Sequence, residues 1–355
     1  MGSSDMKLFE CGQWIRDIDE ELDALPELDQ LAGKSVMITG ATGLIGSAVV
    51  DVLVRYNETH SVPITVYAAG RNEGKVVERF GDKPDLWFIP YDASCGANPF
   101  SHHSDYIIHG ASNASPNRIV REPVETMLSN FLGMKELLDY ANRTGTERLL
   151  FISSSEVYGN KAGSGAFKED EYGYIDLLKA RNSYSVGKRA AETLCVSYHD
   201  EYGVDSVIVR PGHIYGPTAL SRDNRVSSAW AYAVARGENI VMKSDGSQIR
   251  SYCYCLDSAS AILKALVNGE TCRAYNISNP ESVISIRQMA EILVQTAGVE
   301  LCREYASEED KKGFNPMLNS SLDSESLMAL GWRGLFTAER GFAHTVEILK
   351  RIEAD

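Results

Sequence analysis

Ser35-Val36-Met37-Ile38-Thr39-Gly40-Ala41-Thr42-Gly43-Leu44-Ile45-Gly46 is the stretch on which the fold class turns. Its first five residues form a short apolar run without charge, the pattern of a strand buried on both faces. The pattern from Ile45 to about Tyr56 is that of a helix. Between them, Gly40 permits a tight turn, Gly43 lets backbone approach a ligand, and Gly46 lets the helix pack close to the strand. A helix N-terminus with free N–H groups and a positive dipole end attracts phosphate. The stretch is therefore read as a seat for a dinucleotide.

Further short apolar runs follow: Ile64–Ala69, Leu86–Ile89, Tyr106–His109, Leu149–Ile152 and Ser206–Arg210. Helical stretches, notably Thr126–Thr144 and Tyr184–Tyr202, separate most of them. This alternation predicts an α/β protein with a Rossmann-type, doubly wound parallel sheet covered on both faces. After Pro211 the rhythm loosens. Ser227–Arg236 and Ser285–Ala297 read as helices, and Ile249–Tyr254 as a strand returning toward the core. The expected organisation is an acidic helical arm over 1–33, a dinucleotide-binding domain over 34–212 with a returning segment near 248–265, and a smaller C-terminal substrate-binding lobe over 213–355. Met1-Gly2-Ser3-Ser4 is given no functional weight.

The 355 residues carry a net charge of −14, from 35 basic and 49 acidic side chains. That balance argues against sequence-independent binding to nucleic acid. No run reaches the roughly 18 apolar residues of a membrane span, and the N-terminus has no signal-peptide pattern. Seven scattered cysteines read as buried reduced thiols of a cytoplasmic protein rather than a disulfide framework or metal site. Cys253 and Cys255 alternate, so one strand would turn both thiols to the same face.

The end of the second strand should indicate which dinucleotide is held. An Asp or Glu there would bond the ribose hydroxyls of NAD. This chain instead has Ala68-Ala69-Gly70-Arg71-Asn72. Arg71 is either a 2′-phosphate contact or a solvated loop residue, which tips the expectation narrowly to NADP over NAD. Asp92 suits the adenine amino group or an exposed loop. Ala111 and Ser112 leave the fourth strand where the nicotinamide half should pass close to backbone.

About 140 residues beyond the glycine turn stands Tyr184-Ser185-Val186-Gly187-Lys188. Tyr184 and Lys188 lie one helical turn apart on one face. An ammonium near a phenol stabilises phenolate, so the Tyr184 pKa is expected to fall toward the working pH. Tyr184 can then exchange a proton with a sugar hydroxyl while hydride leaves the same carbon. Ser154, at the end of the fifth strand, can hold the substrate oxygen beside it.

These residues bring out a resemblance. Thr39–Gly46, His109–Pro116, Ser153–Gly159, Tyr184–Lys188, Arg210–Pro217 and Gly246–Asp257 resemble the extended short-chain dehydrogenase/reductase family, in its nucleotide-sugar epimerase, dehydratase and decarboxylase branch. The resemblance covers about residues 34–345. It implies NAD(P), a nucleoside diphosphate sugar as substrate, and a homodimer built on the helices carrying Met127–Asn142 and Tyr184–Tyr202. It also implies catalytic roles for Ser154, Glu156, Tyr184 and Lys188. The cofactor set is then Gly40, Thr42, Gly43, Leu44, Ile45, Gly46, Arg71, Asp92, Ala111, Ser112, Pro211, Tyr184 and Lys188.

Within that branch, the 4,6-dehydratases usually carry an Asp-Glu pair where this chain has Ser155-Glu156. Ser155-Glu156-Val157-Tyr158-Gly159 looks instead like UDP-glucuronate decarboxylases, as do Ala114-Ser115-Pro116 and Asp223-Asn224-Arg225-Val226. The leading expectation is transient oxidation at C4 followed by decarboxylation. Dehydration or 4-epimerisation is the alternative, with Glu156 capping a loop in the blander case. In Gly246-Ser247-Gln248-Ile249-Arg250, Arg250 is the candidate for the diphosphate, since a guanidinium meets phosphate oxygens bidentately. Arg225 is a weaker candidate. Ser155 and His213 are candidate sugar contacts, and Tyr215 and Trp230 are expected in the core. The chain departs from the decarboxylases at His213, where they usually have Asn, over Tyr172–Asn182, in the acidic arm and in the missing second-strand carboxylate. A plain NADP-dependent carbonyl reductase is the rival from another class, and a dinucleotide-binding sensor without chemistry a third.

Overall fold

Strand β1 (Ser35–Thr39) sits near the middle of a sheet because its side chains alternate between two separate apolar cores. Val36 and Ile38 enter one core and Met37 the other. The computed structural model describes residues 6–100, 102–160, 165–304 and 317–353; Met1–Ser4 lies outside them. The sheet has seven strands in the order β3-β2-β1-β4-β5-β6-β10. They are β2 (Thr65–Gly70), β3 (Leu86–Pro90), β4 (Tyr106–His109), β5 (Arg148–Ile152), β6 (Ser206–Pro211) and β10 (Ala274–Ile277). Every pairing among them is parallel.

Strand order reverses between β1 and β4, where Thr39 stands opposite both Ala69 and His109. In an open parallel sheet, such a reversal leaves a crevice at the strand carboxyl ends. On one face lie helices α2 (Leu44–Thr59) and α8 (Cys255–Asn268). On the other lie α5 (Pro123–Thr144) and α6 (Ser183–Tyr202), packed on Met37, Ile107, Leu149 and Phe151.

The N-terminal segment docks on the chain's own core. Helix α1 (Gly12–Asp23) buries Trp14 and Ile18, and the turn after it buries Leu28 and Leu31. Each such side chain contributes roughly 1.5–3 kcal/mol by leaving water. The Trp14 indole donates to Asp51 of α2 at 3.0 Å.

Three details differ from the sequence expectation. The sheet gains a seventh strand, β10, whose four residues show no period long enough to read. The return to the main sheet is made by α8 and β10, whereas β9 (Ile249–Tyr254) pairs in a small sheet with β7 (His213–Tyr215) and β11 (Val283–Ser285). Cys255 opens α8 rather than continuing β9, so its thiol does not share a strand face with Cys253. All seven cysteines are free, with Cys11, Cys195, Cys253 and Cys255 buried and Cys95 exposed. Among the described residues, no helix is long and apolar enough to cross a membrane.

Outside the main sheet and its flanking helices lie α7 (Val226–Ala235), α9 (Ile286–Ala297), the C-terminal helix Ala338–Ile352 and the paired strands β8 (Ile240–Met242) and β12 (Leu301–Arg303). Helix α9 starts on a reciprocal capping box between Ser285 and Gln288. The Thr218 hydroxyl donates to the Leu44 carbonyl at 2.8 Å, tying the loop after β7 to the start of α2.

Candidate active site

The glycine turn comes first because it sets how near a ligand can come to the sheet. Gly40 has φ +73°, and a Cβ there would lie 2.9 Å from the Ala111 nitrogen. A Cβ on Gly46 would collide with the Gly40 carbonyl oxygen. Both positions therefore need glycine: the turn at Gly40 lies against the backbone leaving β4, and α2 packs at Gly46 onto the turn itself. Gly43 is the N-cap of α2 and no side chain caps it, so the first N–H groups of this 16-residue helix remain for an anion. The cradle fits a dinucleotide pyrophosphate. Thr42 belongs to the same turn, and Leu44 and Ile45 open α2.

Around it, Ala111 N–H donates to the Thr39 hydroxyl at 3.2 Å, and the Ser112 hydroxyl donates to Asn130 at 2.9 Å. Arg71 is exposed just past β2. Asp92 lies past β3 and accepts from the Ser94 N–H and hydroxyl, which hold its carboxyl below the usual range with help from the Arg71 charge. Pro211 is buried at the end of β6.

Ser154 leaves β5 in extended conformation and accepts from the Glu156 N–H at 3.2 Å. Tyr184 and Lys188 project from α6 toward it, both buried. The Lys188 ammonium donates to the Ile152 carbonyl at 2.7 Å and lies 4.5 Å from the Phe151 ring centroid and 5.8 Å from that of Tyr184. The expected fall in the Tyr184 pKa does not occur. Burial pushes the phenol up to about 12, and the Glu156 charge adds to the rise against a Ser154 hydrogen bond. Burial instead holds Lys188 down to about 7. Desolvation, which penalises both charged forms, outweighs the attraction between them.

Glu156 is gripped from two sides. Arg181 Nη1 and Nη2 donate to its two oxygens at 3.1 and 3.2 Å, and the Ser185 hydroxyl donates at 3.1 Å. Neither partner was foreseen, because Arg181 is 25 residues from Glu156 and no local pattern links them. His109 was missed as well. It ends β4, its Nδ1 lies 2.7 Å from the Thr39 hydroxyl, and its buried Nε2 has no partner among the described residues. Burial and the Lys188 charge push it down to about 3, so it stays neutral.

A second group of residues lies on β7, on β9 and at the start of α7. Arg250 is 4% exposed and, among the described residues, donates to the Ile249 and Met317 carbonyls, at 2.8 and 3.1 Å. It has no carboxylate partner among the described residues, and burial lowers its pKa. His213 sits within reach of its charge. Burial, then Arg250, then Arg225 push His213 down to about 4, and its Nδ1 has no partner among the described residues. Arg225 also acts on Tyr184, so its field links the two groups. Its own Nε is taken by Asp223 at 2.9 and 3.0 Å, which leaves it less free for a ligand than Arg250. Ser155 opens the turn Ser155–Tyr158 beside Glu156. Tyr215 stacks on Phe342 at 3.7 Å and is core, and Trp230 packs partly buried against the same core.

A cavity of about 780 Å³ lies elsewhere, between the Lys168–Tyr172 loop, α6 and the β10 edge. Its three arginines are already occupied, Arg189 by three carbonyls, Arg210 by Glu192 and Arg273 by Glu270, and Lys168 lies 3.8 Å from Asp323. Its size does not make it the reactive site.

The sequence model of the NAD dependent epimerase/dehydratase family matches residues 36–278. The chain is 28% identical over 321 residues to UDP-glucuronic acid decarboxylase 1 of Xenopus tropicalis, covering 90% of this chain and 72% of the relative. It is 29% identical over 299 residues to UDP-glucuronic acid decarboxylase 6 of Arabidopsis thaliana, covering 84% and 83%. Among solved structures, UDP-glucose 4-epimerase of Thermotoga maritima superposes with a TM-score of 0.75 at 23% identity, covering 89% of this chain and 99% of that one. A dTDP-glucose 4,6-dehydratase of Streptomyces venezuelae, with NAD bound, gives 0.73 at 23%, covering 88% and 96%. At these identities the structures speak for the fold.

Proposed function

The chain belongs to the NAD-dependent epimerase/dehydratase family, and we propose that within it this protein oxidises a nucleotide-linked uronic acid at C4, releases its carboxylate as carbon dioxide and re-reduces the ketone. The observation that carries this reading is Glu156, a lone carboxylate beside Tyr184, held by Arg181 and Ser185 with Ser155 rather than an acid before it. UDP-glucuronate is the proposed substrate, in keeping with the decarboxylase relatives. Dehydration or 4-epimerisation is the second reading, favoured by the solved neighbours alone.

The proposed roles follow from the geometry. Thr42–Gly46, Gly40, Ala111, Ser112, Asp92 and Pro211 would hold the dinucleotide, which supplies the hydride acceptor when bound. Arg71, exposed and without an ion pair among the described residues, supports NADP over NAD. Tyr184 contacts the C4 hydroxyl, with Ser154 holding the oxygen; its phenol passes its own proton on toward the neutral Lys188 amine and takes the C4 hydroxyl proton as hydride leaves that carbon. Lys188, near 7, is the member of the pair with room to gain a proton at neutral pH. With the ketone beside it, the C5–C6 bond breaks toward carbon dioxide and its electron pair passes to C5 and the C4 oxygen. C5 is then reprotonated by water held at Glu156, and Tyr184 returns the proton as hydride goes back to C4. Arg250 and His213 grip the nucleoside diphosphate.

The free cysteines support a reducing, cytoplasmic setting. Exposed apolar side chains on α5 and α6 (Val124, Met127, Leu128, Phe131 and Val196) support a homodimer through those helices. The test of the reaction is product mass after incubation with a panel of nucleotide sugars and each dinucleotide. Loss of carbon dioxide from UDP-glucuronate is expected. Loss of water from a nucleotide hexose, or a new isomer of unchanged mass, would replace this reading by the second. Net consumption of reduced dinucleotide would make the protein a simple carbonyl reductase.

A further inference from the structure

Arg181 and Arg225 act on Tyr184, Arg250 and Arg225 act on His213, and the bonding of these three arginines differs. Arg250 lies deep, with one nitrogen on two carbonyls and the His213 ring within its field. Arg225 meets Asp223 along its side edge, through Nε and Nη2. Arg181 meets Glu156 end-on, through Nη1 and Nη2 alone. A guanidinium has five N–H groups. End-on pairing uses two of them, so the Arg181 side edge, with Nε and an outer N–H, has no bond among the described residues. The Arg181 side chain is also 44% exposed, and its charge is felt at Tyr184, where the sugar reacts.

From this geometry we infer that Arg181 is the specificity-determining residue that recognises the carboxylate of an acidic sugar. It holds Glu156 with the end of its fork and receives the substrate carboxylate on the side edge. This assignment rests on the reading of the cleft as a nucleotide-sugar site. Without Arg181, a uronate entering beside Tyr184 would meet the bare negative charge of Glu156, and like charges at this range repel. With it, two carboxylates share one cation. The substrate carboxylate is bound well enough to be selected over a neutral hydroxymethyl group, but not neutralised by a cation of its own. Departure as uncharged carbon dioxide then relieves the repulsion with Glu156.

The experiment uses the full chain carrying its dinucleotide, in a Tyr184→Phe background so that ligands are bound and not consumed. Calorimetric affinities are measured for UDP-glucuronate, UDP-glucose and UDP in that parent, in Arg181→Gln and in Arg181→Lys. The parent should prefer the uronate by about tenfold or more, the Gln variant by about twofold or less, and the Lys variant by an intermediate ratio. UDP should bind all three alike, which separates loss of selection from a damaged nucleotide grip. A parent without preference, a Gln variant that keeps it, or a Gln variant losing UDP in parallel would each overturn the assignment. Selection that depends on Arg181, together with a wild-type chain that releases no carbon dioxide from UDP-glucuronate, would sink the decarboxylase reading alone. Carbon dioxide release by the wild-type chain with an unchanged ratio in the Arg181 variants would sink the Arg181 assignment alone.

Discussion

Arg210 and Arg250 are buried to nearly the same degree, 2% and 4% exposed, yet their surroundings are opposite in kind. Arg210, beside the 780 Å³ cavity, gives two hydrogen bonds to Glu192 at 3.0 and 2.7 Å, and others to the Tyr158 hydroxyl, the Tyr172 hydroxyl and the Glu169 carbonyl. Its charge is answered, and its pKa rises above the usual arginine value, chiefly through Glu192 acting against burial. Arg250 has two carbonyls and no carboxylate among the described residues, and burial lowers its pKa. The cleft repeats this shortage at Lys188, at His109 Nε2 and at His213 Nδ1. A buried charge with its full set of partners holds a fold together. A buried charge left short of partners is a site that costs stability and is retained for a ligand.

The comparison predicts that substitutions in the clamp around Arg210 act on stability and those in the cleft on activity. The largest effect is expected for Tyr184→Phe, which should cut turnover by about 10²–10⁴-fold while leaving the unfolding midpoint and dinucleotide affinity nearly unchanged. Wild-type turnover would remove Tyr184 from the reaction. Next is Arg210→Met, which leaves Glu192 buried without a cation and should cost about 3–5 kcal/mol of stability, read as a fall in Tm. Arg250→Met should leave Tm unchanged or raise it, and weaken UDP binding by about 10–100-fold. Equal losses of stability in the two arginine variants would break the comparison.

A smaller effect concerns pH. Lys188 is held down to about 7 from the usual 10.5. Between those values the unfolded chain binds a proton that the folded chain does not, so this group's contribution to stability rises with pH across that window and is flat below it. The cofactor-free wild type should therefore gain on Lys188→Met by roughly 1–2 kcal/mol between pH 7 and pH 9 in denaturant titrations. A constant difference would mean that Lys188 keeps its ordinary pKa. The smallest change is expected for His213→Asn, which puts an amide where the resembling decarboxylases have one. Turnover should stay within about fivefold of wild type, since a neutral donor replaces a neutral donor. A larger loss would assign His213 a role beyond hydrogen bonding.

Much of the framework was legible because its determinants are local. The strand at Val36–Ile38, the turn at Gly40 and the close packing at Gly46 are written in twelve consecutive residues, and the helix carrying Tyr184 and Lys188 shows its period within two turns. Strand β10 was not legible, because four residues carry no period and their place at the sheet edge depends on β6 beside them. The grip of Arg181 on Glu156 was not legible either, since their meeting depends on how the loop before α6 folds back over the end of β5.

By itself the sequence determined the alternating strands and helices, the phosphate-seating turn and the residue types available for proton transfer, because propensity, turn chemistry and side-chain spacing act over a few neighbours. Only the tertiary structure decided which of those groups would be charged. Tyr184 lies at about 12 and Lys188 at about 7, the opposite of what their four-residue spacing suggests. Desolvation sets those values, and it is summed over everything that packs around a group rather than over what precedes and follows it in the chain.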